Sequence, residues 1–172
     1  NAYAEFLHGN ELLLWGARVI LLVAVLVHIV ASVQVWLANR RSRPVKYRRF
    51  RPPEADYAAR TMIWSGPIVA AFVVYHVLHF TTGTVHPDYR HLDVYHNVTT
   101  GFLQPWVSGF YIVANLLLAM HLYHGMWSLF QTLGWEHPRY NAWRRWFSAG
   151  FAVIIGAGNV SIPIAVLTGL VG

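Results

Sequence analysis

The 172 residues are 56% hydrophobic and only 12% charged, whereas roughly 25% of the residues in soluble domains are charged. This composition predicts an integral membrane protein. The formal net charge is +6, but the basic residues concentrate in two connecting segments, so we expect no nucleic-acid partner. The chain has no cysteine, which excludes disulfides and thiolate ligands and leaves histidine and carboxylate for metal chemistry in this chain.

In chain order, the first ten residues lack the basic and apolar regions of a signal peptide, and we interpret them as a loop that leads into the first span. Four apolar runs follow, each long enough to cross about 30 Å of hydrocarbon at about 1.5 Å per residue. The predicted spans are residues 12–38, 61–82, 106–133 and 146–171. Together they predict an all-α, antiparallel transmembrane helix bundle forming a single domain over residues 1–172.

The connecting segments set the predicted topology. Residues 39–60 contain eight basic and two acidic residues, and residues 134–145 contain three further arginines, so eleven of the thirteen basic residues lie on one side. Under the positive-inside rule that side faces the cytoplasm. The loop at residues 84–105 and Asn1 then lie outside, and we interpret this loop as a cap.

Histidines inside the apolar runs are the candidate functional residues, because polar groups at membrane depth need a partner. His28 lies about 16 residues from the outer end of its span and His121 about 15 residues from the outer end of its own. Both positions are about 23 Å from the outer boundary. Two histidines at equal depth on antiparallel helices suit bis-histidine haem ligation. His76 falls in the outer half of the membrane, where only His79 is near.

Small residues beside these histidines would let a flat macrocycle approach. They are Ala24, Ala31 and Ser32 near His28, and Gly125 and Ser128 near His121. The alternative is that an intramembrane histidine only forms a structural hydrogen bond with a neighbouring helix. We favour that alternative for His79 and His124, and haem ligation for His28 and His121.

Two other classes of protein fit the composition. The pairs His76-x-x-His79 and His121-x-x-His124 resemble parts of the histidine boxes of membrane di-iron desaturases and hydroxylases, but the two pairs lie at different depths. No His-Glu-x-x-His zinc motif is present. A transporter is the third option, although the apolar runs lack the carboxylates that relay protons in many transporters.

The whole chain resembles the single-subunit cytochrome b membrane anchor of succinate dehydrogenases and fumarate reductases, the type with five spans and two haems. The motifs that carry the resemblance are NAYAEF at 1–6, VHIV at 27–30, VYHVLHF at 74–80, and HLYHGMWS at 121–128 followed by Gln131 and Gly134. The last motif is the most specific. The resemblance implies that His28, His76 and His121 are haem ligands, and that His121 takes the ligand position instead of His124.

The family begins with one more span, which carries a fourth histidine and is missing here. We expect the sequence to be a fragment of a longer protein, the alternative being that another polypeptide supplies the helix. The resemblance implies two b haems in the full-length protein. His28 and His121 would ligate the inner haem, and His76 with a histidine outside this sequence would ligate the outer haem.

The implied function is electron transfer between membrane quinone, expected to be menaquinone, and an iron–sulfur subunit that carries a flavoprotein subunit, where succinate and fumarate interconvert. No catalytic residue for that conversion is expected in this chain. The implied location is the bacterial cytoplasmic membrane, with the basic loops in the cytoplasm and lipid around the spans. Candidate partners for the haem propionates are Arg18, Arg60, Trp64 and Ser65. Glu5 and Glu11 could exchange protons with a quinone on the outer side.

Overall fold

The computed structural model describes residues 1–42 and 57–172, and within the second range the side chains from residue 62 onward. The described residues contain six α-helices and no strand. Four of these helices are long and apolar enough to cross a membrane. The fold class predicted from the sequence, an all-α membrane helix bundle, is therefore confirmed. The chain divides into two compact units, Asn1–Pro53 and Glu54–Gly172.

The first unit contains α1, Ala2–His8, and α2, Glu11–Arg41. The prediction of a loop over the first ten residues is wrong for most of its length, because residues 2–8 form two turns of helix. Asn10 separates the two helices, since its side chain caps α2 by accepting a hydrogen bond from the backbone N–H of Leu13 at 3.1 Å. The predicted first span, 12–38, lies entirely within α2.

The second unit contains four helices. They are α3, Tyr57–Phe80; α4, Val94–Phe102; α5, Pro105–Thr132; and α6, Asn141–Leu167. Helix α5 is central, because α3 packs on one side of it and α6 packs along another. The predicted second and third spans agree with α3 and α5 to within a few residues. The buried apolar core lies where all four helices meet: Phe72, Phe102, Val107, Tyr111, Ala114 and Val166.

The fourth span is displaced relative to its prediction. Helix α6 begins at Asn141, five residues before the predicted start, and ends at Leu167. The Asn141 side-chain oxygen accepts hydrogen bonds from the backbone N–H of His137 at 3.1 Å and from Arg144 Nη1 at 2.7 Å. These bonds link the turn at His137 to the first turn of α6. Arg144 and Arg145, assigned to the loop from the sequence, therefore lie in the first turns of α6.

The loop at 84–105 is a folded cap, and it contains a helix that the sequence analysis did not predict. Helix α4 is capped at its N-terminus by Asp93, whose carboxylate accepts from the backbone N–H of His96 at 3.2 Å. The buried Asn97 then ties the cap together: its Oδ1 accepts from the Arg90 N–H and its Nδ2 donates to the Arg90 carbonyl, both at 2.8 Å. The Asn97 side chain thus bonds both the backbone N–H and the backbone carbonyl of Arg90.

Candidate functional site

Two side-chain contacts fix the register between α3 and α5. Ser65 Oγ lies 3.4 Å from His121 Nδ1, and His79 Nδ1 lies 3.1 Å from the Tyr111 hydroxyl. Because Ser65 and His79 rise along α3 while their partners descend along α5, the two helices are antiparallel. His76 is eleven residues from Ser65, so it lies about 16 Å along the helix axis from the level of His121. The level of His121, called the inner level, and the level of His76, called the outer level, are therefore too far apart for one metal ion to bind both histidines.

The inner level is built on the contact between His121 and Ser65. The Ser65 hydroxyl donates to the carbonyl of Met62 at 3.3 Å. A hydroxyl has one proton; when that proton goes to Met62, the Ser65 oxygen accepts from the N–H at Nδ1 of His121. In that tautomer Nε2 is the nitrogen with the lone pair. A histidine that donates through one ring nitrogen to an acceptor is the usual arrangement of a metal or haem ligand.

The neighbouring His124 is held differently. Its Nε2 lies 3.1 Å from Ser128 Oγ, one turn further along the same helix. Ligation of iron through Nε2 would therefore break a bond that exists within α5. Ser128 was predicted to belong to the haem site around His121, and the structure places it on His124.

At the outer level, His76 and His79 differ in exposure although they are one turn apart. The His76 ring is exposed, with the rings of Phe72, Phe80 and Tyr111 at centroid distances of 5.7 to 6.0 Å. Among the described residues it has no hydrogen-bond partner. An exposed imidazole on a membrane-spanning helix is open to a partner from outside α3 and α5.

His79 is completely buried. Besides its bond to Tyr111, it packs against the cap, where its ring centroid is 4.9 Å from that of His86. A Cβ added at Gly101 of α4 would come within 3.1 to 3.3 Å of the His79 ring, so α4 can approach this closely because residue 101 is glycine. Within the described structure, His79 Nε2 has no hydrogen-bond partner. The sequence did not indicate this cluster, because its members come from three helices and a loop.

His86 in the cap has a complete set of hydrogen bonds. Its Nε2 donates to the Asn97 carbonyl at 2.8 Å, and its Nδ1 accepts from the Asp88 N–H at 3.1 Å. His96 also bonds Asp88, through the carboxylate at 2.8 Å. These cap histidines hold the loop over the end of α3 and α5, and we assign them a structural role.

The remaining predicted site residues are not gathered at one place. Arg18 lies over the ring of Trp15, 5.1 Å from its centroid, and Trp64 is 73% exposed. The side chain of Arg60 lies outside the described residues. His28 belongs to the first unit and His121 to the second, so their pairing stays a prediction.

No group of three or more histidine, cysteine, aspartate or glutamate side chains that could hold a metal ion occurs among the described residues. The pairs His76-x-x-His79 and His121-x-x-His124 lie at separate levels of the α3–α5 pair, as their spacing in sequence predicts. A di-iron centre of the kind found in membrane hydroxylases requires more ligands at one level than either pair provides. A bis-histidine haem requires only one histidine from each of two helices.

Fold and site together define a multi-pass, all-α membrane protein with histidines at two levels within its helices. In comparisons with protein-family models, with curated proteins and with solved structures, no significant match to this chain is found. The comparisons therefore assign no function to this chain.

Proposed function

We propose that this chain is a haem b-binding membrane anchor of a succinate:quinone oxidoreductase. The observation that carries the proposal is the hydrogen bond between His121 Nδ1 and Ser65 Oγ, which are 3.4 Å apart. It joins two membrane helices, and with Nδ1 as the donor it leaves the lone pair on Nε2, the arrangement that suits iron ligation. The motif HLYHGMWS around His121 supports the same assignment through its resemblance to the cytochrome b anchors.

The residues present fit a haem at the inner level. Histidine nitrogens are the axial ligands of low-spin b haems. Gly125, one turn from His121, has no atom within 4 Å of an added Cβ outside its own helix segment, which leaves room beside the ring. When bound, the haem would supply a one-electron carrier within the membrane. His28 is the proposed second ligand, from α2.

The exposed His76 is the proposed ligand at the outer level, with a second histidine from outside this sequence. His79 would not ligate iron, because it is buried under α4 and bonded to Tyr111. The separation of about 16 Å along the axis makes two distinct haems the natural arrangement. Each histidine would orient its own haem plane. The aromatic rings around His76 would exclude water from the side of the outer haem that His76 ligates.

The proposed role of the whole chain is to pass electrons between membrane quinone and an iron–sulfur subunit docked on the side of residues 39–60. Succinate and fumarate would interconvert on a flavoprotein subunit attached to it. The proposed location is the bacterial cytoplasmic membrane. This part of the proposal is supported by the resemblance and by the distribution of basic residues.

Haem counting in the full-length protein tests the proposal. We expect His121→Ala and His28→Ala each to lose the same haem, because one missing axial ligand removes the bis-histidine field. His76→Ala should lose the other one. The measurements are the reduced-minus-oxidised spectrum of the purified complex and the pyridine hemochrome content per polypeptide.

His124→Ala and His79→Ala are the matched controls, since each removes a histidine one turn from a proposed ligand. Both should retain two haems when folded. Ser65→Ala should keep the inner haem but raise its reduction potential, because His121 loses the acceptor that makes it a stronger donor. A wild-type complex without low-spin b haem would refute the proposed function, and a full complement in His121→Ala would refute the inner ligand.

A further inference from the structure

The beginning of α6 contains a buried arginine that the proposed function does not use. Arg144 has no exposed surface. Its Nη1 donates to Asn141 Oδ1, while Nε and Nη2 have no hydrogen-bond partner within the described structure. Its guanidinium lies over the indole of Trp127, 4.3 Å from the ring centroid. A guanidinium is permanently charged, so this site contains a buried positive charge.

No carboxylate compensates that charge among the described residues. The ion pairs found there involve Asp88 in the cap, near the other end of α5. Glu136, in the turn before α6, is exposed and forms no ion pair in the described structure. A buried charge without a partner is strongly destabilising. In the described part of the chain this charge is met by Asn141 and by the rings of Trp127 and Phe130, which leaves Nε and Nη2 to bond an anion.

A cavity of about 320 Å³ lies at this point. Arg144 forms part of its wall, and the other lining residues are aromatic: Phe130, Trp135, Tyr140 and Trp143. Tryptophan and tyrosine are enriched where a membrane protein meets the lipid head groups. Arg145 is exposed, and its guanidinium lies 5.3 Å from the Trp127 centroid, so a second positive charge stands beside the first.

An apolar groove of about 410 Å³ runs between α5 and α6. Its walls include Tyr123, one turn from Trp127, and Ala149, one turn from Arg145. Alanines at 119, 152 and 157 keep it wide. The groove therefore begins about one helical turn from Arg145 and continues along α5 and α6 away from the turn that joins them. Its volume is within the range of about 300 to 1,000 Å³ that small ligands occupy.

We propose that this place is a binding site for an anionic phospholipid, with the phosphate at Arg144 and Arg145 and an acyl chain in the groove between α5 and α6. Arginine forms paired hydrogen bonds with phosphate. Basic pockets between transmembrane helices on the cytoplasmic side hold such head groups in other proteins. The charges select the anionic lipid and the apolar groove favours a long chain. This site is independent of haem binding.

Native mass spectrometry of the detergent-purified protein, titrated with dioleoylphosphatidylglycerol, tests the proposal. We expect Arg144→Gln to weaken binding about tenfold, since charge-assisted hydrogen bonds are lost. Arg40→Gln is the matched control, because Arg40 also lies over a tryptophan, 5.4 Å from the Trp36 centroid. It should change the affinity less than about twofold. Arg145→Gln, on an exposed residue, provides a second test should Arg144→Gln fail to fold.

Three comparisons identify the ligand. Dioleoylphosphatidylcholine should bind at least about tenfold more weakly, and equal affinity would overturn the requirement for an anion. Ala149→Phe should weaken binding of the dioleoyl lipid but not of dihexanoylphosphatidylglycerol, because it fills the groove. The proposal that an acyl chain lies in the groove is wrong if Ala149→Phe leaves the affinity for the dioleoyl lipid unchanged. It is also wrong if inorganic phosphate competes for the site as well as the lipid does. Unchanged affinity in both arginine variants refutes the site.

Discussion

At the scale of single residues, neighbours in space decide what each histidine does. His76 and His79 are three residues apart, yet one is exposed and the other is buried against α4 and α5. Sequence spacing correctly placed His76 and His121 at different depths. It could not assign the individual bonds, because Tyr111 and Ser65 are 32 and 56 residues from the histidines they contact.

Tyr111→Phe tests the structural role of His79. The substitution keeps the ring and removes the hydroxyl 3.1 Å from His79 Nδ1, leaving a second buried nitrogen without a partner. We expect a loss of about 1 kcal/mol in unfolding free energy, the usual size for a hydrogen bond between membrane helices. Thermal unfolding in detergent, followed by circular dichroism, measures it.

Tyr3→Phe is the control for this change, because Tyr3 is 74% exposed in α1 and its substitution should leave the melting temperature unchanged. A Tyr111→Phe protein as stable as the wild type would mean that the His79 contact contributes nothing. The haem content of Tyr111→Phe should stay at the wild-type value, since His79 is not a proposed ligand.

At the scale of helices, apolar runs predict the existence of the long helices better than their ends. Helix α6 begins early because Asn141 bonds both His137 and Arg144, a pattern that apolarity does not reveal. The cap helix α4 is short and amphipathic, but Asp93 is a recognisable N-cap residue three positions before His96. That signal was present in the sequence, but the interpretation of 84–105 as a capping loop did not include a helix.

Small residues recur along α6 at Gly150, Gly156 and Gly158, and the structure separates those that pack closely from those that do not. A Cβ added at Gly156 would lie 2.8 Å from the Cβ of Ala119 on α5, whereas Gly150 and Gly158 face open space. Pro163 is also fully buried. Of these three glycines, Gly156 is therefore the one that allows the close approach of α5 and α6.

Gly156→Ala and Gly158→Ala should shift stability in opposite directions. At position 156 the added methyl group meets a rigid helix, and overpacking costs about 1 to 3 kcal/mol. At position 158 no atom is displaced, and the better helix propensity of alanine adds up to about 1 kcal/mol. Melting temperatures of the two variants in the same detergent check the difference. Equal shifts would show that α5 and α6 do not approach as closely as this packing requires.

At the scale of the whole molecule, composition was sufficient to predict a membrane helix bundle with four spans. The antiparallel order of α3, α5 and α6 follows from their connections. It is confirmed for α3 and α5 by the pairs Ser65–His121 and His79–Tyr111, and for α5 and α6 by the pairs Arg144–Trp127 and Gly156–Ala119. In α2, apolar residues lie on nearly every face and so do not indicate which face would meet protein; the predicted position of His28 opposite His121 is the one sequence signal for it.

The sidedness of the connecting segments is directly measurable, because the 172 residues contain no cysteine and each variant introduces a single thiol into them. Ser42, Thr84 and Arg139 are exposed and lie outside the long apolar helices. From the eleven-to-two distribution of basic residues, we expect a membrane-impermeant maleimide added to intact cells to label Thr84→Cys only. Ser42→Cys and Arg139→Cys should react after permeabilisation.

Thr84 and Arg139 flank opposite ends of α5, so they must lie on opposite sides if α5 crosses the membrane. Labelling of both from outside would contradict the span itself. Labelling of Arg139→Cys and not Thr84→Cys would reverse the topology. In that case the cap would face the cytoplasm, the level of His76 would become the inner one, and the arginine site on α6 would bind lipid of the outer leaflet.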